Sequence, residues 1–577
     1  MEEGSLVDPP WLKSYETGVP GRLEYPEIGL FGLLDQTTEK YPAKRALRFY
    51  LDPHLPASTF TYSQLREAAL RLATALSRLG VNKGDRIALM LPNCPEFVIA
   101  FFAAMRLGAI AVNTNPLYVA EEMKAQFQDS GCETVILLDR FFPRLREIRP
   151  MTRIKRVVVV DLAGTLSRPA RAMVHLVQRM KREHVRVRPQ SDIFLFERLL
   201  THYPPTPPEV ELNPGDTALF QYTGGTTGTP KAAMLSHRNL VSNTLQVRAW
   251  FARAVDGEEI VLAAIPFFHV YGMTACMLFG VRAAAELLVL PRPRPIETVM
   301  RIVVRCGVTI FPGVPTLYTA INNHPNVTGY DLRSVKLCLS GAAPLPIEVA
   351  LTFEKLTGGK LVEGFGMTEA SPVTHCNPLY GRRKAGSIGL PLPDTEARIV
   401  DPATGQSLPP DSEGELVVRG PQVMKGYWNR PEETAGAVRA GWLHTGDIAK
   451  MDEEGYFYIL DRIKDMIVAS GFKVLPREVE EVLFTHPKVR EAVVAGVPDP
   501  YRGETVKAYI VLKEGQQAAA EEIVEFCKLR MASFKVPKSI EFRKELPKTL
   551  VGKILRRALV EEEKERMAGV SPKHRST

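Results

Sequence analysis

The chain has 577 residues, of which 45% are hydrophobic and 24% charged. That length exceeds what one core fills, so two or more domains are expected, and the composition excludes disordered and fibrous classes. The formal net charge of +8 is local: between Arg144 and Arg188, 13 Lys/Arg face only Glu147, Asp161 and Glu183, which leaves the remainder slightly acidic.

Seven scattered cysteines form no CxxC pair, which argues against a disulfide framework or a thiolate zinc site and points to a reducing cytoplasm. The opening Met1-Glu2-Glu3-Gly4-Ser5 is acidic and carries no apolar run after it, so no secretory signal is expected.

Along the chain, a helix is expected over Leu30 to Thr38 and a strand over Arg45 to Tyr50. Ser63 can cap a helix whose Leu65, Ala69, Leu72, Leu76 and Leu79 share one face, with Gly80 ending it. A strand at Arg86 to Leu91, a helix from Pro95 to Arg106, a strand at Ala109 to Val112, a helix at Glu121 to Ser130 and a strand at Thr134 to Leu138 follow. Such alternation predicts an α/β fold of parallel-rich sheets covered by helices.

Leu166, Met173, Val174, Leu176, Val177 and Met180 alternate with Arg168, Arg171, Arg179, Lys181 and Arg182 at helical spacing. A helix of this kind either packs its apolar stripe on the parent domain or lies on anionic lipid. With no aromatic residue interleaved, nucleic acid is not expected as a partner.

After the Pro-rich Tyr203 to Pro208 comes a strand, Thr217 to Gln221, and then Tyr222-Thr223-Gly224-Gly225-Thr226-Thr227-Gly228-Thr229-Pro230-Lys231. Glycines let backbone N–H groups approach an anion, the threonines add hydroxyl donors and Lys231 adds a charge, so the stretch suits phosphate. Pro230 before the lysine breaks the Walker A pattern, because no helix runs straight through it. Ile260 to Val281 is uncharged over 22 residues, a membrane span's length, yet Pro266, His269, Gly272 and Gly280 interrupt it and its first part reads as a buried strand.

Three more strands, at Thr309 to Phe311, Leu337 to Ser340 and Lys360 to Glu363, each end in a glycine-bearing turn. Ligands gather at the carboxyl ends of parallel strands, so a nucleotide is expected there. Short alternating runs from Ile388 to Leu460 predict a β subdomain. Beyond Asp465 a small α+β domain is expected, with helices at Arg477 to Phe484 and Ala520 to Met531 and strands at Val489 to Val497 and Val506 to Leu512.

The Gly/Thr stretch, Pro266-Phe267-Phe268-His269-Val270-Tyr271-Gly272, Gly364-Phe365-Gly366-Met367-Thr368-Glu369, Trp442-Leu443-His444-Thr445-Gly446-Asp447, Asp461-Arg462-Ile463-Lys464-Asp465 and Pro547 to Lys553 occur in the order seen in acyl-adenylate-forming enzymes. The resemblance spans nearly the whole chain and is nearest to bacterial long-chain fatty-acid CoA ligases, whose closing region resembles Gly441 to Arg557. It implies ATP, Mg²⁺ and CoA as cofactor and co-substrates, a long-chain fatty acid as substrate, and acyl-AMP as intermediate.

The resemblance also implies residue roles. Tyr222, Thr223, Gly224, Gly225, Thr226, Thr227, Gly228 and Lys231 hold ATP phosphates; Glu369 with Thr223 holds Mg²⁺; Thr368 meets the α-phosphate. Phe365 stacks on adenine against Gly341 and Ala342, and Asp447 with Arg462 takes the ribose. Lys553 serves adenylation, Lys464 is the hinge, and Gly471 lines the CoA channel. His269, Tyr271, Met273 and Val314 belong to the substrate end.

A domain boundary is expected between 463 and 464, giving an adenylation domain 1–463 and a mobile C-terminal domain 464–577, with the hinge near 461–465. Ala232-Ala233 depart from the glycine often found after the cradle lysine and add bulk near the phosphates. The rival readings are a medium-chain or aryl acid ligase, an acyl-AMP ligase feeding a carrier protein, and a non-catalytic nucleotide-binding or membrane-surface protein.

Overall fold

A computed structural model describes residues 9–51, 57–166, 168–180, 185–223, 230–469, 472–499, 503–549 and 554–567. The chain divides into two compact units, residues 1–396 with 419–443 and residues 397–418 with 444–577.

The first unit holds two sheets. One has eight strands in the order Gly426–Tyr427, Lys231–Ser236, Thr217–Thr223, Ile110–Asn113, Arg86–Met90, Thr134–Leu138, Arg156–Val160 and Ile193–Leu195. From Thr217–Thr223 onward its neighbours run parallel, as strand–helix–strand alternation demands. The first two strands pair antiparallel on its edge.

The second sheet runs Ser58–Thr61, Arg45–Phe49, Glu286–Val289, Ile260–Ala263, then Leu337–Ser340, Lys360–Gly366, Val373–Cys376 and Leu390–Pro391. Ile310 joins the two groups of four, bridging Val261 on one side and Leu337 on the other. The strand expected at Thr309 to Phe311 is therefore reduced to the two bridges of Ile310, cut short by left-handed Gly307 on one side and Pro312 on the other.

Helix Pro95–Arg106 is buried from Pro95 to Met105. Pro95 fits its first turn, where no N–H partner is needed, and an apolar surface all round requires cover on every side. Helix Tyr62–Arg78 starts one residue before the expected cap Ser63. Thr61, not Ser63, caps it, because the Thr61 hydroxyl accepts the Gln64 N–H while the Gln64 side chain accepts the Thr61 N–H.

The uncharged 260–281 stretch divides into strand Ile260–Ala263, a turn, the short helix Val270–Gly272, a π-helical passage Met273–Leu278 and helix Phe279–Arg282. Among the described residues no helix is long and apolar enough to cross a membrane. All seven cysteines are buried free thiols.

In the second unit, residues 447–451 pair antiparallel with 457–462. Beyond them a sheet of Phe472–Val474, Ile467–Ala469, Gly503–Leu512 and Val489–Asp499, with Ser539–Phe542 parallel to Gly503–Leu512, forms the C-terminal body. Helices Pro476–Phe484 and Ala520–Lys528 bury Val479, Leu483, Ile523 and Cys527 against Val494, Ala508 and Ile510. At about 25 cal/mol per Å² of apolar area, that shared face accounts for most of what holds these short helices.

Candidate active site

Strands Thr217–Thr223 and Lys231–Ser236 are antiparallel partners on either side of the Gly/Thr stretch, with Thr223 opposite Lys231 and Tyr222 opposite Ala232. Lys231 thus opens a strand, where a P-loop lysine would open a helix, in keeping with Pro230 before it. Gly224, Gly225, Thr226, Thr227 and Gly228 lie outside the described residues.

Tyr222 does not point its hydroxyl at open space. It donates to Asp129 Oδ2 at 2.7 Å, and Asp129 also receives Arg430 at 3.2 Å and, on its carbonyl, the Trp428 indole at 3.1 Å. Burial, then the Asp129 carboxylate, pushes the Tyr222 phenol far above its ordinary pKa, so it stays a donor.

On the far side of Lys231–Ser236, Gly426–Tyr427 pairs with Ala233 and Met234. This edge pairing sets Tyr427 between two of the expected ligand residues. Its hydroxyl donates to Glu369 Oε1 at 2.7 Å, and Lys231 Nζ lies 5.4 Å from the centroid of its ring. Glu369, only 8% exposed, sits in the Thr368–Ala370 turn, and its carbonyl accepts the Met424 N–H at 2.8 Å. Burial, then Glu369, raises the Tyr427 phenol far above its usual range, which fixes it as the donor in that bond.

The Tyr427 bond occupies one oxygen of Glu369. A single buried carboxylate beside a threonine suits Mg²⁺, which prefers oxygen ligands and keeps waters and substrate phosphates in its shell. Among the described residues no three His, Cys, Asp or Glu side chains form a metal cage, so the donor set fits a cation that arrives with a nucleotide better than a resident ion.

The Pro266–His269 turn is fixed from two directions. Asn93 donates to the Ala263 and Ile265 carbonyls at 3.0 and 2.8 Å and accepts the Phe267 N–H at 2.7 Å, while Gln221 donates to the Phe268 carbonyl at 3.1 Å. Phe267 also packs on Phe97 with centroids 5.7 Å apart. His269 caps the Val270–Gly272 helix, its Nδ1 accepting the Tyr271 N–H at 3.3 Å, which leaves the proton of a neutral ring on Nε2. A side chain on Gly272 would meet the Pro266 carbonyl oxygen at 2.3 Å, so only glycine closes this turn.

Tyr271 is buried, and its hydroxyl donates to the carbonyls of Gly313 and Leu339 at 3.1 and 2.8 Å. It therefore supports the turns from below, and a Cβ on Gly341 would sit 3.0 Å from its ring. Ala342 takes the left-handed backbone at φ 69°, and Phe365 packs edge-on to buried His375 with centroids 6.1 Å apart. Thr368 is half-buried, Met273 is buried in the π-helical passage, and half-buried Val314 directly precedes helix Pro315–Asn322.

In the second unit Asp447, 3% exposed, faces Arg462 across the strand pair, with Arg462 Nε 3.1 Å from Oδ1. Glu415 shapes the preceding turn, accepting the Gly446 N–H at 3.1 Å and meeting His444 Nδ1 at 2.8 Å. Lys464 is exposed in the Ile463–Asp465 turn. Arg556 binds Asp465 Oδ2 and Glu480 Oε1, each at 2.7 Å, beside buried Asp461. Gly471 and Lys553 lie outside the described residues; Lys548 and Ile554, flanking the latter, pair with each other.

Residues 34–428 match the AMP-binding enzyme family, and residues 478–553 match the AMP-binding enzyme C-terminal domain. The chain belongs to the AMP-binding enzyme family. This AMP-binding enzyme is 46% identical over 559 residues to the long-chain-fatty-acid–CoA ligase of Bacillus subtilis (strain 168), covering 96% of the chain and 98% of that relative. It is 38% identical to the ligase of the same name in Escherichia coli O157:H7, with the same coverage. ATP-bound MatB from Rhodopseudomonas palustris superposes with a TM-score of 0.83 at 28% identity, covering 94% of the chain and all of that structure.

Tyr427, Asn93, Gln221, Asp129 and Glu415 are the AMP-binding enzyme's supports that motif reading passes over. The Gly426-Tyr427-Trp428 run was the available signal for the first, because an aromatic pair after a glycine on an edge strand has a face to cover.

Proposed function

We propose that this AMP-binding enzyme is an ATP-dependent long-chain acyl-CoA ligase. The observation that carries the reading is the extent of the match to long-chain-fatty-acid–CoA ligases, which takes in 96% of the chain and so both matched family regions. The fatty acid carboxylate oxygen attacks the α-phosphorus of ATP, and pyrophosphate leaves. The CoA thiolate then attacks the carbonyl carbon of the acyl-AMP, and AMP leaves with the oxygen that came from the acid. Neither step needs a protein nucleophile.

In this reading the Gly/Thr stretch and Lys231 hold the β- and γ-phosphates, and Thr368 meets the α-phosphate. Glu369 and Thr223 hold Mg²⁺, which when bound neutralises phosphate charge. Phe365 covers adenine with Gly341 and Ala342 opposite, and Asp447 with Arg462 takes the ribose hydroxyls. His269, Met273 and Val314 belong to the acyl end, with Tyr271 beneath them. Lys553 stabilises the charge that develops in adenylation, Lys464 absorbs a turn between half-reactions, and Gly471 opens the CoA channel. The boundary at 463/464 and the hinge near 461–465 are part of the same proposal.

Buried free thiols throughout support a reducing, cytoplasmic setting. Peripheral contact with a membrane through residues 166–188 is the companion proposal for where a long-chain acid is met. The test is AMP and pyrophosphate release with acids from acetate through palmitate and oleate to cinnamate, each with and without CoA. CoA-dependent turnover that peaks with long chains is the expected result. A peak at medium-chain or aryl acids moves the substrate, pyrophosphate without thioester makes the protein an acyl-AMP ligase, and silence across the panel removes the enzyme reading.

A further inference from the structure

Helix Arg168–Met180 is amphipathic, but it is packed the opposite way round from a core-facing helix. Arg171, Val174, His175 and Gln178, spaced i, i+3, i+4 and i+7, form its half-buried face. Arg171 binds Asp161 Oδ2 and Glu197 Oε2, each at 2.8 Å, and His175 Nε2 lies 3.0 Å from Asp161 Oδ2. The apolar stripe at the same spacing faces out: Met173 is 52% exposed, Leu176 58%, Val177 44% and Met180 78%.

Ion pairs thus fix the helix by its polar side and hold four large apolar side chains in water. Exposed single apolar residues are ordinary, whereas a continuous stripe held outward is costly without a partner. The charge around it says which partner. Arg179 is exposed on the same helix beside the stripe, Arg186 and Arg188 are exposed in the segment that follows, and Lys181 and Arg182 come between them in sequence. An apolar stripe flanked by cations matches an interface of acyl chains under anionic headgroups.

The geometry points to the Met173–Leu176–Val177–Met180 stripe as the surface by which this protein docks on an anionic lipid leaflet, with Arg179, Arg186 and Arg188 on the headgroups. The outward face is preset by Asp161 and Glu197, so docking needs no rearrangement of the helix. This surface stands independently of the ligase chemistry, and its test does not use turnover.

The experiment is flotation of the full chain with vesicles of phosphatidylcholine alone and of phosphatidylcholine mixed with phosphatidylglycerol, at rising sodium chloride. Binding is expected to the mixed vesicles and to weaken with salt. Leu176→Glu with Met180→Glu lowers partitioning at least about tenfold, and each of Arg179→Gln and Arg186→Gln lowers it about fivefold. The unfolding midpoint of the Glu variant stays at the wild-type value, because the replaced side chains are exposed. Wild-type binding that is absent or indifferent to phosphatidylglycerol, or a Glu variant that floats unchanged, overturns the proposal. So does a Glu variant that loses stability, or a wild-type dimer in sedimentation velocity that the Glu substitutions dissolve.

Discussion

In the first unit, the supports of the site are mostly neutral hydrogen bonds made in the interior. Asn93 and Gln221 hold the Pro266–His269 turn, and Asn239 donates to the Pro421 and Val423 carbonyls at 2.8 Å each, just ahead of the Tyr427 edge strand. In the second unit the same work falls to ion pairs. Arg462 meets Asp447, Arg556 meets Asp465 and Glu480, Lys507 meets Glu541 and Glu563 at 2.9 and 2.7 Å, and Lys548 meets Glu491 at 2.6 Å. Buried neutral bonds are indifferent to salt and costly to leave unmade, whereas ion pairs are screened in proportion to their exposure, more at Lys548–Glu491 and less at buried Lys507. The first arrangement suits a fixed mould for a nucleotide, and the second suits the part that the proposed reaction cycle would move between its two reactions.

The largest effect expected is that of Lys553→Ala, which supplies charge only to adenylation in this account. Acyl-AMP formation should fall on the order of 10²- to 10³-fold, while thioester formation from supplied acyl-AMP changes far less. Equal loss in both half-reactions would break the division of labour between the two units.

Tyr427→Phe comes next, because it removes a bond to a charged, buried partner worth about 1.5–3 kcal/mol. Adenylation should slow about 10- to 100-fold with a raised Mg²⁺ requirement, read from a magnesium titration at fixed ATP. An unchanged magnesium dependence would mean that Tyr427 only packs.

Arg556→Ala leaves Asp465 and Glu480 without their cation and should destabilise the second unit by about 1–3 kcal/mol, seen as faster hydrogen exchange in helix Pro476–Phe484. High salt should speed exchange in helix Pro476–Phe484 of the wild type in the same direction and leave the Asn93-held Pro266–His269 turn nearly unaffected. Salt acting equally on these two places would erase the contrast.

The smallest effect concerns His237, which is fully buried with Nδ1 accepting the Leu30 N–H at 3.1 Å. Burial, opposed by Asp216 and aided by Lys83, holds its pKa down at about 4. A base depressed in the fold contributes stability that is present above its ordinary pKa near 6.5 and lost as pH falls towards 4. Between pH 7 and 6 this loss is below about 1 kcal/mol. His237→Asn should flatten that part of the pH dependence of the unfolding midpoint; an unchanged slope would place the acid sensitivity elsewhere.

Local signals were legible in the sequence where they sufficed. Helix Pro95–Arg106 and strand Thr134–Leu138 begin and end where capping and apolar runs put them. The Thr61 cap was misplaced by two residues because Thr61 and Ser63 are both good caps, and only the Gln64 side chain decides between them. The Gly426-Tyr427-Trp428 run marks Tyr427 as a residue with a face to cover, but not which residues cover it, since its meeting with Lys231 and Glu369 depends on strand register between segments nearly 200 residues apart. The outward stripe of helix Arg168–Met180 was half legible. Periodicity reveals that a helix has two faces, but the side that meets the protein was set by Asp161 and by Glu197, an element further on.

The central claim is that the acid is activated as acyl-AMP. Palmitate carrying ¹⁸O in both carboxylate positions, incubated with ATP, Mg²⁺ and CoA, tests it directly by mass spectrometry of the nucleotide product. The account predicts AMP carrying one ¹⁸O, because the attacking oxygen stays on phosphorus when the thiol takes the acyl group. Unlabelled AMP, or ADP with labelled phosphate, would contradict it.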